Sequence, residues 1–214
     1  MNVLAVGAHH DDIELGCAGT LARLARAGHR TFGVTLTNSE THYELRGIHR
    51  TRQQATTEAQ RAAAVLGLTL LELEGAGQDN GTLRYDVALM RRLEQLMAAH
   101  QVSLVLSHWR LDLNTDHEAA AKITIVAARH VPCVLMYRSN WYQPAAPFNG
   151  IFSVDISDVI ELKRQSLACY ETEVANRTPA WTASFLDRDR AAGFAMGKGY
   201  AETFEPVKFE LLGW

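Results

Sequence analysis

Residues 3–12 of the chain read VLAVGAHHDD, and this stretch decides the fold. Its first half, residues 3–7, is short and continuously apolar, which is typical of a strand buried on both faces of a parallel sheet. Residues 14–27 then carry apolar side chains at helical spacing, and Gly28 marks the end of that helix. A buried strand, a polar turn and a helix form the first unit of an alternating α/β fold.

The same alternation continues along the chain. Further strands are predicted at residues 31–37, 69–73, 102–107, 133–137, 151–156 and 207–211. Further helices are predicted at residues 50–66, 85–100, 117–130 and 157–173. Elements of this size predict a Rossmann-like, doubly wound α/β fold, in which a mostly parallel sheet has helices on both faces. We find no linker, repeat or low-complexity segment, so residues 1–214 are predicted to form a single domain.

Composition and charge narrow the class of protein. Hydrophobic residues make up 47% of the chain and charged residues 21%, which is typical of a soluble globular protein. The net charge is −3 and no basic stripe is present, so no nucleic-acid partner is expected. Three isolated cysteines, no signal-peptide pattern and no apolar run of about 20 residues predict a cytoplasmic protein without a membrane partner. Homo-oligomerisation stays open.

Polar clusters follow three of the predicted strands, at residues 9–12, 38–40 and 108–117. In open parallel sheets, ligands bind beyond the carboxyl ends of the strands, which is where these clusters fall. Imidazole and carboxylate groups together suit zinc, and a catalytic zinc typically keeps three protein ligands and one open position. A turn with His and Asp, together with a His that opens a helix elsewhere, supplies such a set.

Simpler interpretations of the same residues remain. Asp11, Asp12 and Asp116 also suit helix caps, because Asp is favoured at helix N-termini. Gly16 and Gly19 form only a GxxG pattern, which is weak support for a dinucleotide site. The chain has no GxGxxG, GxSxG or GxxxxGK[ST] motif, and none of its cysteines lies in a nucleophile motif.

At these residues the chain resembles the LmbE/PIG-L family of zinc-dependent N-deacetylases, which remove acetyl groups from N-acetylated amino sugars and their conjugates. The family pattern AHPDDE…G…T corresponds to AHHDDIELGCAGT at residues 8–20. The similarity continues through residues 36–40, 58–67, 112–117, 154–163 and 200–204. It therefore covers most of the chain.

The resemblance implies a role for individual residues. It makes His9, Asp12 and His117 the zinc ligands, and Asp11 the general base that takes a proton from the attacking water. Zinc is the expected cofactor, although these ligand types also accept Fe²⁺.

The chain departs from the family pattern at two informative positions. His10 stands where the family usually has proline, and Asn114 stands where many members have a histidine that assists the oxyanion. The candidates to orient a ligand or to stabilise the oxyanion are Asp116, Asn114, His108 and Asp112.

The expected substrate is a small molecule that carries an acetamido sugar, either free, glycosidic or nucleotide-linked. The candidate substrate contacts are His10, Asn38, Glu40 and Arg50, although Arg50 also suits a solvated helix start. Trp141, Tyr142 and Trp181 lie in predicted loops, where aromatic rings can stack on sugars or cover core edges.

The sequence therefore predicts a metal-dependent N-deacetylase. One alternative is a deformylase or amidase that uses the same site on a non-sugar amide. Another is a non-catalytic ligand-binding protein of the same fold, in which the acidic turn only caps a helix. A nucleotide-binding module is disfavoured because no glycine-rich loop is present.

Overall fold

Strands and helices alternate around one central sheet in the structure, a computed structural model that describes residues 1–142, 146–177 and 180–210. The strands are β1 (Asn2–Gly7), β2 (Arg30–Thr35), β3 (Thr41–Tyr43), β4 (Ile48–Arg50), β5 (Thr69–Leu70), β6 (Leu104–His108), β7 (Cys133–Tyr137), β8 (Phe152–Asp155) and β9 (Ala201–Phe209). The helices are α1 (Asp12–Arg26), α2 (Arg52–Leu66), α3 (Val87–Ala99), α4 (Thr115–Ala127), α5 (Ile160–Ala168), α6 (Glu171–Asn176) and α7 (Ala180–Ala195).

The central sheet has the order β5-β2-β1-β6-β7-β9-β8. The first five strands in this order, β5, β2, β1, β6 and β7, are parallel to one another. Strand β9 pairs antiparallel with both β7 and β8. After β1, the chain adds β2 and β5 on one side of β1 and then β6 and β7 on the other side. The topological switch point therefore lies between β1 and β6. The predicted doubly wound, mostly parallel sheet is confirmed, and its ligand crevice is expected at the carboxyl ends of these two strands.

Alternate residues of β1 enter two separate cores. Val3 and Ala5 pack into a cluster that contains buried residues of α1, α2, α5 and α7. Leu4 and Val6 pack on the opposite face, against buried residues of α3 and α4. Successive side chains of a strand point to opposite faces, so a continuously apolar strand requires helices on both sides of the sheet.

Helix α1 is broken at Cys17, whose φ of −150° is not helical. Buried side chains satisfy the backbone groups that this break frees. Glu202 accepts hydrogen bonds from the backbone N–H groups of Gly19 at 2.9 Å and Thr20 at 2.7 Å. The Lys163 ammonium donates to the Leu15 carbonyl at 3.1 Å.

Close packing accounts for the GxxG pattern in α1. A Cβ atom at Gly16 would clash with the ring of Tyr137, and one at Gly19 would lie 2.8 Å from side-chain atoms of Ile156. The two glycines let strand β7 and the segment after β8 approach the helix. The pattern therefore reflects packing, and it gives no support to a dinucleotide site.

The structure corrects several element boundaries. Residues 157–173 do not form one helix, because α5 ends at Ala168 and α6 begins at Glu171. The strand predicted at residues 207–211 starts earlier, at Ala201, and the strand predicted at 69–73 is only two residues long. The β3–β4 hairpin and α7 were not predicted. Within the described part of the chain, no helix is long and apolar enough to cross a membrane.

Candidate metal centre

Three loops meet at the carboxyl edge of the sheet, beside the switch point. The loop after β1 carries His9 and Asp12, the loop after β6 leads to His117 at the start of α4, and the loop after β7 carries Ser139. All four residues line a cavity of about 480 Å³. The fold thus brings together the polar clusters that the sequence places after two separate strands.

His9, Asp12 and His117 bring two ring nitrogens and a carboxylate together, and one ligand atom from each residue lies within 4.8 Å of the others. The His9 Nδ1 lies 3.3 Å from Asp12 Oδ2, and the His117 Nε2 lies 3.2 Å from Asp12 Oδ1. The two ring nitrogens are 3.3 Å apart. Ligands at about 2.0 to 2.1 Å from a tetrahedral zinc lie about 3.3 Å from one another. The donor set therefore fits a zinc ion, and the adjoining cavity gives access to a fourth position.

A carboxylate lies behind each of the two imidazoles. Asp116 Oδ2 is 3.0 Å from His9 Nε2, and Asp112 Oδ2 is 3.1 Å from His117 Nδ1. These pairs place the ring proton on the nitrogen that faces the carboxylate, so the other nitrogen is free to bind a cation. Asp116 is itself fixed by the backbone N–H groups of Gly81 and Leu83.

Asp12 accepts hydrogen bonds from the loops after β1 and β7. The Ser139 hydroxyl donates to Oδ1 at 2.9 Å, and the backbone N–H of His9 donates to Oδ2 at 2.7 Å. His108 Nε2 lies 3.2 Å from Oδ2, but this nitrogen accepts a hydrogen bond from the N–H of Ala8 at 2.9 Å. The His108 proton therefore sits on Nδ1, and burial lowers the pKa of this ring, which keeps it neutral.

The local charges favour a cation between the ligands. Burial opposes protonation of both imidazoles, but hydrogen bonds and nearby carboxylates outweigh it. Asp116 and Asp12 raise the pKa of His9 to about 10. Asp12 and Asp112 raise the pKa of His117 to about 9. The carboxylates thus stabilise positive charge at this position, whether protons or a metal ion supply it.

The acidic residues of these loops are not helix caps. Asp11 occupies the N-cap position of α1, but its side chain makes no capping hydrogen bond. Asp12 is held against His9 and Ser139, and Asp116 faces another loop. The cap of α4 is Asn114, whose Oδ1 accepts from the backbone N–H of Asp116 at 2.9 Å. The helix-cap interpretation of the three aspartates is therefore wrong.

Asp11 has an unusual backbone conformation. Its φ of 120° lies in a region that non-glycine residues rarely adopt, at a cost of about 1–3 kcal/mol. This conformation leaves a buried carboxyl group on the wall of the cavity beside Asp12. Burial raises the pKa of Asp11 well above its usual value, and the neighbouring charge of Asp12 raises it further.

Of the four candidate substrate contacts, only Arg50 is among the described residues that line the cavity. Arg50 lines the cavity, but it is only 2% exposed and forms ion pairs with Glu58 at 3.1 Å and Glu173 at 3.0 Å. It is therefore not a solvated helix start. His10, Asn38 and Glu40 are not among the described residues that line the cavity. His10 lies 3.1 Å from the Thr35 hydroxyl, Asn38 donates to Asp79, and Glu40 is exposed.

Several residues of the site were not predicted from the sequence. Ser139 supports Asp12, and Asn140 donates to Asp112 Oδ1 at 2.9 Å. Both follow β7, so the rule that singled out the loops after β1 and β6 would have found them if applied to the next strand. Glu173 and Arg177 also line the cavity, from α6 and the residue after it, and no local pattern marks them.

A comparison with known families identifies the chain. The sequence profile of the GlcNAc-PI de-N-acetylase family, PIG-L, matches residues 4–128, which include His9, Asp12 and His117. This chain belongs to the PIG-L family. The resemblance inferred from the two sequence motifs is thus confirmed.

Individual proteins resemble this chain in sequence or in fold. The uncharacterized deacetylase YaiS of Escherichia coli K12 is 29% identical over 65% of this chain and 75% of its own length. A conserved protein of Thermus thermophilus has a crystal structure with a TM-score of 0.78 at 26% identity, covering 98% of this chain and 96% of that one. The 4-carboxy-2-hydroxymuconate hydratase GalB of Pseudomonas putida shares the fold, with a TM-score of 0.75, 22% identity and coverage of 100% and 98%.

Proposed function

We propose that this PIG-L family member is a zinc-dependent hydrolase that removes the acetyl group from an acetamido sugar or its conjugate. Membership of the family supports a deacetylase. The observation that supports metal dependence is the cluster of His9 Nδ1, His117 Nε2 and the Asp12 carboxylate. The two nitrogens are 3.3 Å apart, and each lies 3.2–3.3 Å from a different oxygen of Asp12, which suits ligands of tetrahedral zinc. The same ligands accept Fe²⁺, so metal analysis of the purified protein decides between the two ions.

The metal and the residues around the cavity have separate roles in amide hydrolysis. Zinc, when bound, supplies a Lewis acid that polarises the amide carbonyl and lowers the pKa of water. Asp11 takes the proton from the attacking water and then delivers it to the leaving nitrogen, because an amine anion is a very poor leaving group. Its fixed backbone conformation holds the carboxyl group in the cavity for both transfers.

Two further side chains suit contacts with the substrate. Asn114 lines the cavity, and its Oδ1 is used by the helix cap, so its amide N–H₂ is the group left to donate to the developing oxyanion. Arg50 also lines the cavity, where its Nη1 pairs with Glu173 and its Nη2 with Glu58. Its buried Nε has no hydrogen-bond partner among the described residues, and a substrate oxygen that reached it would satisfy that donor.

Substitution of Asp11 and His117 separates catalysis from metal binding. We expect Asp11→Asn to retain zinc but to lose acetate release by at least about 10²-fold, because the general base is absent. We expect His117→Ala to lose the metal itself. Asp187→Asn, an exposed position away from the cavity, serves as the matched control and should retain both. Full activity in Asp11→Asn would contradict the proposed base.

The two alternative functions give different results in the same assays. A deformylase or amidase would release formate or another acid from simple amides and would not prefer acetamido sugars. A non-catalytic binding protein would release nothing, and neither chelator nor zinc would change its stability. Only the deacetylase combines a metal requirement with acetate release from N-acetylated sugars.

A further inference from the structure

A second recess opens beside the metal centre. It has a volume of about 290 Å³ and is lined by Trp141, Arg177, Ala180, Trp181 and Ser184. Trp141, Arg177 and Trp181 also line the catalytic cavity, so the two spaces share a wall. None of the five residues belongs to the metal ligands or to the carboxylates that support them.

The shared wall is a stack of two indoles around a guanidinium group. The Arg177 Cζ lies 4.8 Å from the centre of the Trp141 ring and 4.6 Å from that of Trp181. Arg177 Nε also donates to Glu173 Oε2 at 2.9 Å. Cation–π contacts and the ion pair together fix the orientation of both rings.

The charges of this region cancel. Arg50 and Arg177 contribute two cations, and Glu58 and Glu173 contribute two carboxylates that contact them. A phosphate or carboxylate would therefore meet no net positive charge at this wall. An apolar group would instead meet indole faces, which bind flat rings by burial and stacking.

One further observation indicates that a ligand uses this wall. Leu113, Trp141 and Tyr142 line the catalytic cavity while they remain 59%, 49% and 45% exposed, so part of its rim is apolar. Large exposed apolar side chains around a cavity mark a binding surface.

We propose that the Trp141–Arg177–Trp181 wall binds a flat, apolar aglycone attached to the acetamido sugar. This inference rests on the proposed function for the identity of the sugar, and it narrows the substrate to a glycoside. Free sugars would leave the wall empty, and nucleotide-linked sugars would place phosphates against an electrically neutral surface.

Binding measurements on zinc-loaded Asp11→Asn protein test this subsite without turnover. The probes are 4-nitrophenyl and methyl glycosides of N-acetylglucosamine, which differ only in the aglycone, and a uridine diphosphate conjugate of the same sugar. We expect the nitrophenyl glycoside to bind at least about tenfold more tightly than the methyl glycoside, because stacking on one aromatic ring supplies a gain of this size. The nucleotide conjugate should bind no better than the methyl glycoside.

Adding Trp141→Ala should reduce the aryl preference, measured as the ratio of the two dissociation constants, to within about twofold. Trp141 is half exposed, so its removal spares the core. Tyr85→Ala removes an exposed aromatic ring that lines neither cavity and should change nothing. Equal binding of the aryl and methyl glycosides, an aryl preference that survives Trp141→Ala, or tightest binding of the nucleotide conjugate would each overturn the proposal.

Acetate release by the wild-type enzyme separates this inference from the proposed function. An aryl preference that depends on Trp141, without acetate release from any probe, supports the subsite and contradicts the deacetylase. Acetate release at equal efficiency from the aryl and methyl glycosides, with equal affinities, supports the deacetylase and contradicts the subsite.

Discussion

Each imidazole of the candidate metal centre is paired with its own carboxylate, His9 with Asp116 and His117 with Asp112. Such pairs fix the ring tautomer and make the free nitrogen a better ligand. We expect Asp112→Asn and Asp116→Asn each to weaken zinc binding about 10- to 100-fold, measured by competition with a chelator of known affinity. Asp158→Asn, which removes an exposed carboxylate paired with Arg23, is the control and should leave the affinity unchanged. Wild-type affinity in both site variants would contradict this role.

Asn114 combines a structural contact with a proposed catalytic one, and substitution can separate them. Serine also caps helices well, so Asn114→Ser should change the free energy of unfolding by less than about 1 kcal/mol. It cannot place an amide N–H in the cavity, so we expect kcat to fall about 10²-fold with little change in KM. An unchanged kcat would show that another group stabilises the oxyanion.

The cluster of His9, Asp12 and His117 could be predicted from sequence because each residue lies in a short polar motif next to an apolar strand. The pairing of Asp116 with His9 could not be predicted, because the two residues are 107 positions apart in the chain. Successive residues of a helix point about 100° apart, and the Asp116 carboxylate faces His9 and Gly81. Such pairings depend on how loops approach each other, which local sequence does not encode.

At the scale of elements, the broken helix α1 depends on a buried cluster of charges. Lys163 lies 2.7 Å from both Asp189 and Glu202, and these side chains join α5, α7 and β9 to the break at Cys17. Lys163→Met would leave two buried carboxylates and the Leu15 carbonyl without their cation. We therefore expect a loss of about 3–5 kcal/mol in the free energy of unfolding, measured by urea denaturation.

Lys122→Met is the matched control for Lys163→Met, since the Lys122 ammonium is largely exposed and, among the described residues, pairs only with Glu118. It should change the free energy of unfolding by less than about 1 kcal/mol. If Lys163→Met were no more destabilising than Lys122→Met, the charge cluster would not hold the break in α1.

Elements with a strong apolar pattern could be predicted, and elements without one could not. Strands β1, β6 and β7 are buried on both faces, so their apolar runs are continuous in the sequence. The β3–β4 hairpin has three-residue strands that are mostly exposed, and it therefore lacks such a run. Helix α7 mixes buried Asp189 with exposed Phe194, which obscures its helical period.

At the scale of the whole molecule, the strand order brings the loops of the site together. It does not determine which reaction the site catalyses. The ligands come from loops after β1 and β6, which only the reversal of strand order makes adjacent. A hydratase shares this fold at 22% identity, so the chemistry follows from the side chains at the switch point. Here these side chains are two imidazoles, their carboxylate partners and Asp11.

The most direct measurement of the central claim is acetate release from N-acetylglucosamine glycosides before and after removal of the metal. Chelator-treated protein should lose activity, and one equivalent of zinc per chain should restore it, because the three ligand atoms are spaced for one ion. The same addition should restore nothing to His117→Ala. If the metal-free protein released acetate as fast as the zinc-loaded enzyme, the metal-dependent mechanism would be contradicted.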